Sequence, residues 1–97
     1  MYAEQRLWAV IPALNEEGAI GLVVNGLLAL QHNDVPVLDG VIVCDNGSTD
    51  STATVAKEAG ATVVSQTTRG YGIACLTAIA ALPDDCDIVL FVDGDDS

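Results

Sequence analysis

Four short strand-like runs, three of them wholly apolar, are separated by stretches of helical periodicity and constrain this chain more than any other feature. They are Leu7–Ile11, Val41–Cys44, Ala61–Ser65 and Ile88–Val92. Each is too short for a helix, and the first is apolar at every position, the pattern of a strand buried on both faces. After the first run, Ile20, Val23, Val24, Leu27 and Leu28 recur at helical spacing. Asn15 reads as the N-cap of that helix, with Glu16 and Glu17 in its first turn, where carboxylates favour the dipole. A second helix is expected over Ser51–Ala59 with Gly60 as its stop, and a third over Ile73–Leu82, ended by Pro83. Gln31–Gly40 is polar, carries Pro36, and reads as a loop. The order is βαβαβαβ with short connections. That order predicts an α/β protein with a Rossmann-like open parallel sheet between helices, in three α/β/α layers.

Charge narrows the partners. Three basic residues stand against 14 acidic ones, for a net charge of −11. Such a chain repels phosphate backbones and anionic headgroups, so nucleic acid is not an expected partner. Apolar residues make up 51% of the 97, which excludes disorder and suits one domain at most. Cys44, Cys75 and Cys86 lack metal-ligand spacing and read as small buried hydrophobes. An odd cysteine count without a signal-peptide pattern points to the cytoplasm. No apolar run approaches the roughly 18 residues of a membrane span. The best candidate, Ala19–Leu30, is interrupted by Gly21, Asn25 and Gly26. Membrane association of a full-length protein stays open. His32 reads as a surface residue.

Open α/β sheets bind ligands beyond the carboxyl ends of their strands. Four segments fall there: Pro12–Glu16, Asp45–Asp50, Arg69–Gly72 and Asp93–Asp96. The polar and glycine residues gather in them. Asp45 closes a buried strand; its carboxylate either accepts from a ring N–H or a sugar hydroxyl, or caps its own turn. Gly70-Tyr71-Gly72 lets main chain approach an anion at a helix N-terminus, or forms a plain turn. Asp93 and Asp95 are hard oxygen donors suited to Mg²⁺ or Mn²⁺, unless they belong to a solvated acidic tail. A divalent ion there, helped by Arg69, would reconcile so acidic a chain with a diphosphate ligand. No G-x-G-x-x-G follows the first strand, and no G-x-x-x-x-G-K-[ST] loop exists.

Val10-Ile11-Pro12-Ala13-Leu14-Asn15-Glu16-Glu17, Val43 to Thr52, Arg69-Gly70-Tyr71-Gly72 and Asp93-Gly94-Asp95 together resemble the N-terminal half of a family 2 glycosyltransferase of the GT-A fold. The nearest subgroup is that of polyprenyl- and dolichyl-phosphate sugar transferases. The likeness spans about residues 7–97 and rests on four motifs in order. It implies that Pro12, Ala13 and Glu16 line a nucleoside pocket. It implies that Asp45, with Asn46 and Gly47 beside it, holds uracil or guanine, and that Arg69, Gly70 and Gly72 lie near the phosphates. Asp93 would contact the nucleotide sugar and, with Asp95, the Mg²⁺ or Mn²⁺ ion. The resemblance places the acceptor site and the general base in a second half, so no catalytic residue is assigned. Residues 1–97 are then the nucleotide-sugar-binding part of an incomplete GT-A domain, truncated after the fourth strand. The expected function is binding of a UDP- or GDP-linked sugar for transfer to an acceptor such as a lipid phosphate, with the fragment itself inactive. The alternatives are a non-catalytic, self-associating module of the same fold, and a nucleotidyltransferase. The latter is disfavoured because Pro12–Glu17 holds no Lys or Arg. The resemblance also implies the family's strand order, 3-2-1-4, which would leave Ile88–Val92 at an open sheet edge and predicts a homo-oligomer.

Overall fold

The computed structural model describes residues 5–92. Its main sheet has four parallel strands: β1 (Leu7–Ala13), β4 (Gly40–Asp45), β5 (Thr62–Ser65) and β6 (Ile88–Phe91), in the order β5-β4-β1-β6. This is the expected 3-2-1-4 order. Three helices connect the strands: α1 (Ile20–Leu28), α2 (Thr52–Glu58) and α3 (Tyr71–Ala80).

Alternation along β1 builds a core on each face of the sheet. Ala9, Ile11 and Ala13 pack with Ile20 and Val24 of α1 and Ala56 of α2. Val10 points the other way and packs with Ile42, Cys44, and Ala74 and Ala78 of α3. Three α/β/α layers result, and β1 is apolar throughout because both its faces are covered. Burial pushes the Cys44 thiol pKa up, with Asp45 adding to the shift, so Cys44 packs as a neutral apolar group. Cys75 in α3 and Cys86 in the loop before β6 are only half-buried, which corrects the expectation that all three are core. Gly21 lets α1 approach α2: a Cβ there would meet Val55 Cγ1 at 3.0 Å.

Several boundaries differ from the sequence expectation. Asn15 does not cap α1. It has a φ of 54°, and α1 begins at Ile20 after a turn in which the Ala19 and Ile20 amides donate to Glu16 O. Glu16 and Glu17 therefore precede the helix. The 31–40 stretch is not a bare loop; it holds a small antiparallel hairpin, β2 (Gln31–His32) with β3 (Val35–Pro36). Asn33 and Asp34 turn it at φ 54° and 66°, the left-handed pair that a two-residue hairpin requires. Helix α3 starts at Tyr71 rather than Ile73, so Gly72 is helical and Gly70 is the cap. Gly60 does stop α2. At φ 111° it donates to Lys57 O, while Ala61 donates to Ala56 O, the paired bonds of a Schellman motif.

Candidate functional site

Crossovers on opposite faces make β1 the switch point of the sheet: α1 leads to β4 on one side, and α3 leads to β6 on the other. A ligand crevice is expected beyond the carboxyl end of such a strand. A cavity of about 310 Å³ opens there, lined by Pro12, Ala13, Leu14, Asn46, Arg69, Gly70, Tyr71 and Ala74. A second hollow, of about 540 Å³, lies between α2 and β5 around Lys57, Ala61 and Thr62. It runs along α2 from Ala53 and Thr54 and shares no lining residue with the first cavity.

Side chains clasp the loops around the first cavity. The β1 loop is held by the β4 loop: the Asn15 amide donates to Ser48 Oγ at 2.9 Å and the Glu16 amide to Thr52 Oγ1 at 2.8 Å. In return the Thr49 amide donates to Asn15 Oδ1 at 2.9 Å. Asn46 reaches the 66–70 loop. Its Nδ2 donates to Gln66 O and Thr68 O, and its Oδ1 accepts from the Gly70 amide. The loops after three strands thus form one hydrogen-bonded rim.

The sequence-derived residues divide. Pro12, Ala13, Asn46, Arg69 and Gly70 line the cavity; Glu16, Asp45, Gly47 and Gly72 do not. Asp45 is half-buried behind the rim, and its Oδ1 accepts from the Ser48 amide at 3.0 Å, so it does cap its own turn. Gly47, at φ 85°, passes under the Arg69 side chain, whose Nη2 donates to Gly47 O at 3.4 Å. A Cβ on Gly47 would lie 3.2 Å from Arg69 Nε. Asp93 and Asp95 lie outside the described residues, and so does Asp96. Among the described residues no cluster of three His, Cys, Asp or Glu side chains is placed to hold a metal.

Leu14, Tyr71 and Ala74 line the cavity without having been singled out as site residues. Tyr71 is 63% exposed at the rim. An aromatic between two glycines was the available signal for Tyr71. Ala74 had none, because only the pitch of α3 brings it to the wall. Thr52 was also missed. It is fully buried, accepts from Glu16 and donates to Asp50.

Comparison with known proteins agrees with this geometry. The family model "Glycosyl transferase family 2" matches residues 8–97. The chain is 40% identical to protein RfbJ of Shigella flexneri over 97 residues, covering all of this chain and 70% of that one. It is 34% identical to the dolichyl-phosphate hexose transferase of Haloferax volcanii, covering 99% of this chain and 39% of the relative. Glucosyl-3-phosphoglycerate synthase of Mycobacterium tuberculosis superposes with a TM-score of 0.82 at 36% identity, over 98% of this chain and 36% of that one. That enzyme has been crystallised with Mn²⁺, UDP and glucosyl-3-phosphoglycerate, and with Mg²⁺ and UDP. The chain therefore spans about a third of the length of the latter two relatives. With four parallel strands in the predicted order, a cavity at their switch point and a family match over nearly every residue, this chain belongs to glycosyl transferase family 2.

Proposed function

We propose that this chain binds a nucleoside-diphosphate sugar, UDP- or GDP-linked, together with a divalent metal, for transfer to an acceptor that itself carries a phosphate. One observation carries the reading: of only three basic residues in a chain of net charge −11, Arg69 lines the cavity at the strand carboxyl ends. A guanidinium there suits phosphate oxygens. Pro12, Ala13 and Leu14 supply apolar wall for a nucleoside. Asp45 takes the base N–H groups, its carboxylate oriented by the Ser48 amide, and Glu16 and the Asn46–Gly47 turn lie beside it. Gly70 brings main chain close to the phosphates, with Gly72 in the first turn of α3. Asp93 and Asp95 are the donors for Mg²⁺ or Mn²⁺; their hard oxygens fit such an ion, which supplies positive charge against the diphosphate. The acceptor class is supported by relatives named for dolichyl phosphate and crystallised with phosphoglyceric acid. A polyprenyl phosphate is the form the sequence resemblance implies. The resemblance places the general base and the acceptor site in a second half, so residues 1–97 alone are expected to bind donor without transferring sugar.

Calorimetry with UDP and GDP, with and without Mn²⁺, tests the reading. Binding of one nucleotide that requires the metal and is lost in Asp95→Ala is expected. Binding indifferent to both the metal and that substitution overturns it.

A second reading, self-association, is favoured by β6. It ends the described sheet, and Ile88, Leu90 and Phe91 are 42%, 41% and 51% exposed. An apolar edge with unpaired main-chain groups favours pairing with a second copy.

A further inference from the structure

Asn46 follows directly on β4 and is 6% exposed, one of two buried polar residues among those described. Its backbone N–H donates to Ala13 O at 2.8 Å, closing the gap to the end of β1. Its carboxamide spends both donors and its carbonyl on main chain. Nδ2 donates to Gln66 O at 2.9 Å and to Thr68 O at 2.8 Å, and Oδ1 accepts from the Gly70 amide at 3.0 Å. A carboxamide has two N–H groups, so none remains for a ligand. Two of the three partners, Thr68 and Gly70, flank Arg69 on either side. Gln66 adds a second strut: its Oε1 accepts from the Thr68 amide at 3.0 Å, and its Nε2 donates to Thr77 Oγ1 on α3 at 2.9 Å.

We propose that Asn46 is a positioning residue for the donor, acting through Arg69: it fixes the main chain from which the guanidinium projects and reads no part of the nucleotide. The proposal rests on the reading of this cavity as the nucleotide-sugar site, and it replaces a contact role for Asn46 with an indirect one. An arginine on a loose loop must be ordered when it binds a phosphate, which costs affinity; one on a pinned loop has little left to lose. Asn46 can serve because its side chain is the only group that meets the main chain on both sides of Arg69 among the described hydrogen bonds.

The test is a double-mutant cycle on the full chain, read by calorimetry with UDP and Mn²⁺. Asn46→Asp keeps the size and one acceptor but turns a carboxylate oxygen toward the Gln66 and Thr68 carbonyls. Arg69→Ala in the wild-type background, and Asn46→Asp alone, are each expected to weaken UDP about tenfold, while the double variant is hardly weaker than either. Costs that multiply, or an Asn46→Asp protein that melts lower yet binds UDP normally, overturn the proposal, because a merely structural role leaves Arg69 unaffected. Should Asn46→Asp fail to fold, Gln66→Ala loosens the same loop from its outer side and must show the same non-multiplying pattern with Arg69→Ala. Wild-type protein that binds neither UDP nor GDP would defeat the donor reading instead. The positioning claim is then decided by NMR on the free protein: faster Gly70 amide exchange and a shifted Arg69 Nε–H resonance in Asn46→Asp uphold it, and unchanged signals sink it.

Discussion

The Glu16 amide donates to the Thr52 hydroxyl at 2.8 Å across 36 residues of sequence, and Thr52 is fully buried. That hydroxyl also donates to Asp50, so one side chain satisfies a turn on each side of it. Thr52→Val keeps the shape but removes both bonds and leaves the Glu16 N–H without its acceptor. A loss of about 1–2 kcal/mol in unfolding free energy is expected, toward the lower end of the cost of stranding a donor, because the bond is part-buried. Urea titration of the two proteins measures it, and a difference near zero would mean that the loops hold together by packing alone.

The same contact makes a prediction about pH. The Thr52 hydroxyl, with further help from the Thr52 and Glu17 amides and against some opposing burial, holds the Asp50 carboxyl below its ordinary value of 3.8. A carboxyl depressed by folding adds stability that is complete above the unfolded value and disappears as pH falls through the folded one. Wild type should therefore exceed Asp50→Asn in stability at pH 6, and the gap should close as pH drops below about 3.8. Thermal melts at a series of pH values give the answer; a gap that is constant with pH would remove the charge from the explanation.

Arg69 is expected to carry the phosphate affinity of the proposed donor site. Arg69→Ala should weaken UDP by roughly tenfold or more, since hydrogen bonds to charged groups contribute about 1.5–3 kcal/mol. Uridine, which lacks phosphates, should bind both proteins alike. Gly47→Ala should act in the same direction, because its Cβ would press on Arg69 Nε from a backbone at φ 85° that suits glycine. Equal losses for uridine and UDP in Arg69→Ala would place the guanidinium against the base instead.

The β6 edge is expected to mediate the proposed self-association. Leu90→Lys puts a charge on an exposed edge-strand position and should leave the protein monomeric at concentrations where wild type associates. Asp84, Asp85 and Asp87 precede the strand, so salt should favour the wild-type association by screening them. Light scattering over a concentration series, at low and physiological salt, resolves this. Wild type that stays monomeric at roughly millimolar protein, where weak complexes of that strength show, ends the proposal.

The frame of the fold is legible in the amino-acid sequence alone. Four strand-like runs and three helical stretches were enough for the layers and the parallel sheet: burial of β1 and β4 on both faces leaves a continuous apolar signature that needs no long-range information, and the alternation with helical stretches supplies the rest. The gathering of polar and glycine residues after the strands was legible too, since all four strands run the same way and their carboxyl ends share one side. Local ends were less legible. Asn15 looks like a cap because asparagine usually is one before a helical run, yet its side chain is taken by Thr49, 34 residues away. The hairpin at 31–36 was missed because its two-residue strands are too short to show any period.

Which residues form the cavity wall and which stand behind it follows from long-range packing. Asp45 and Asn46 are neighbours in sequence and equally polar, but the end of β4 turns Asn46 inward to the Gly70 amide and gives Asp45 to its own turn. Ala74 joins the wall because α3 starts at Tyr71, a boundary set by the Gly70 cap that Asn46 holds. The Asn46 partnerships link segments 20 to 24 residues apart. A single sequence carries no trace of them, because each depends on where folding brings a second segment and not on the chemistry of the first.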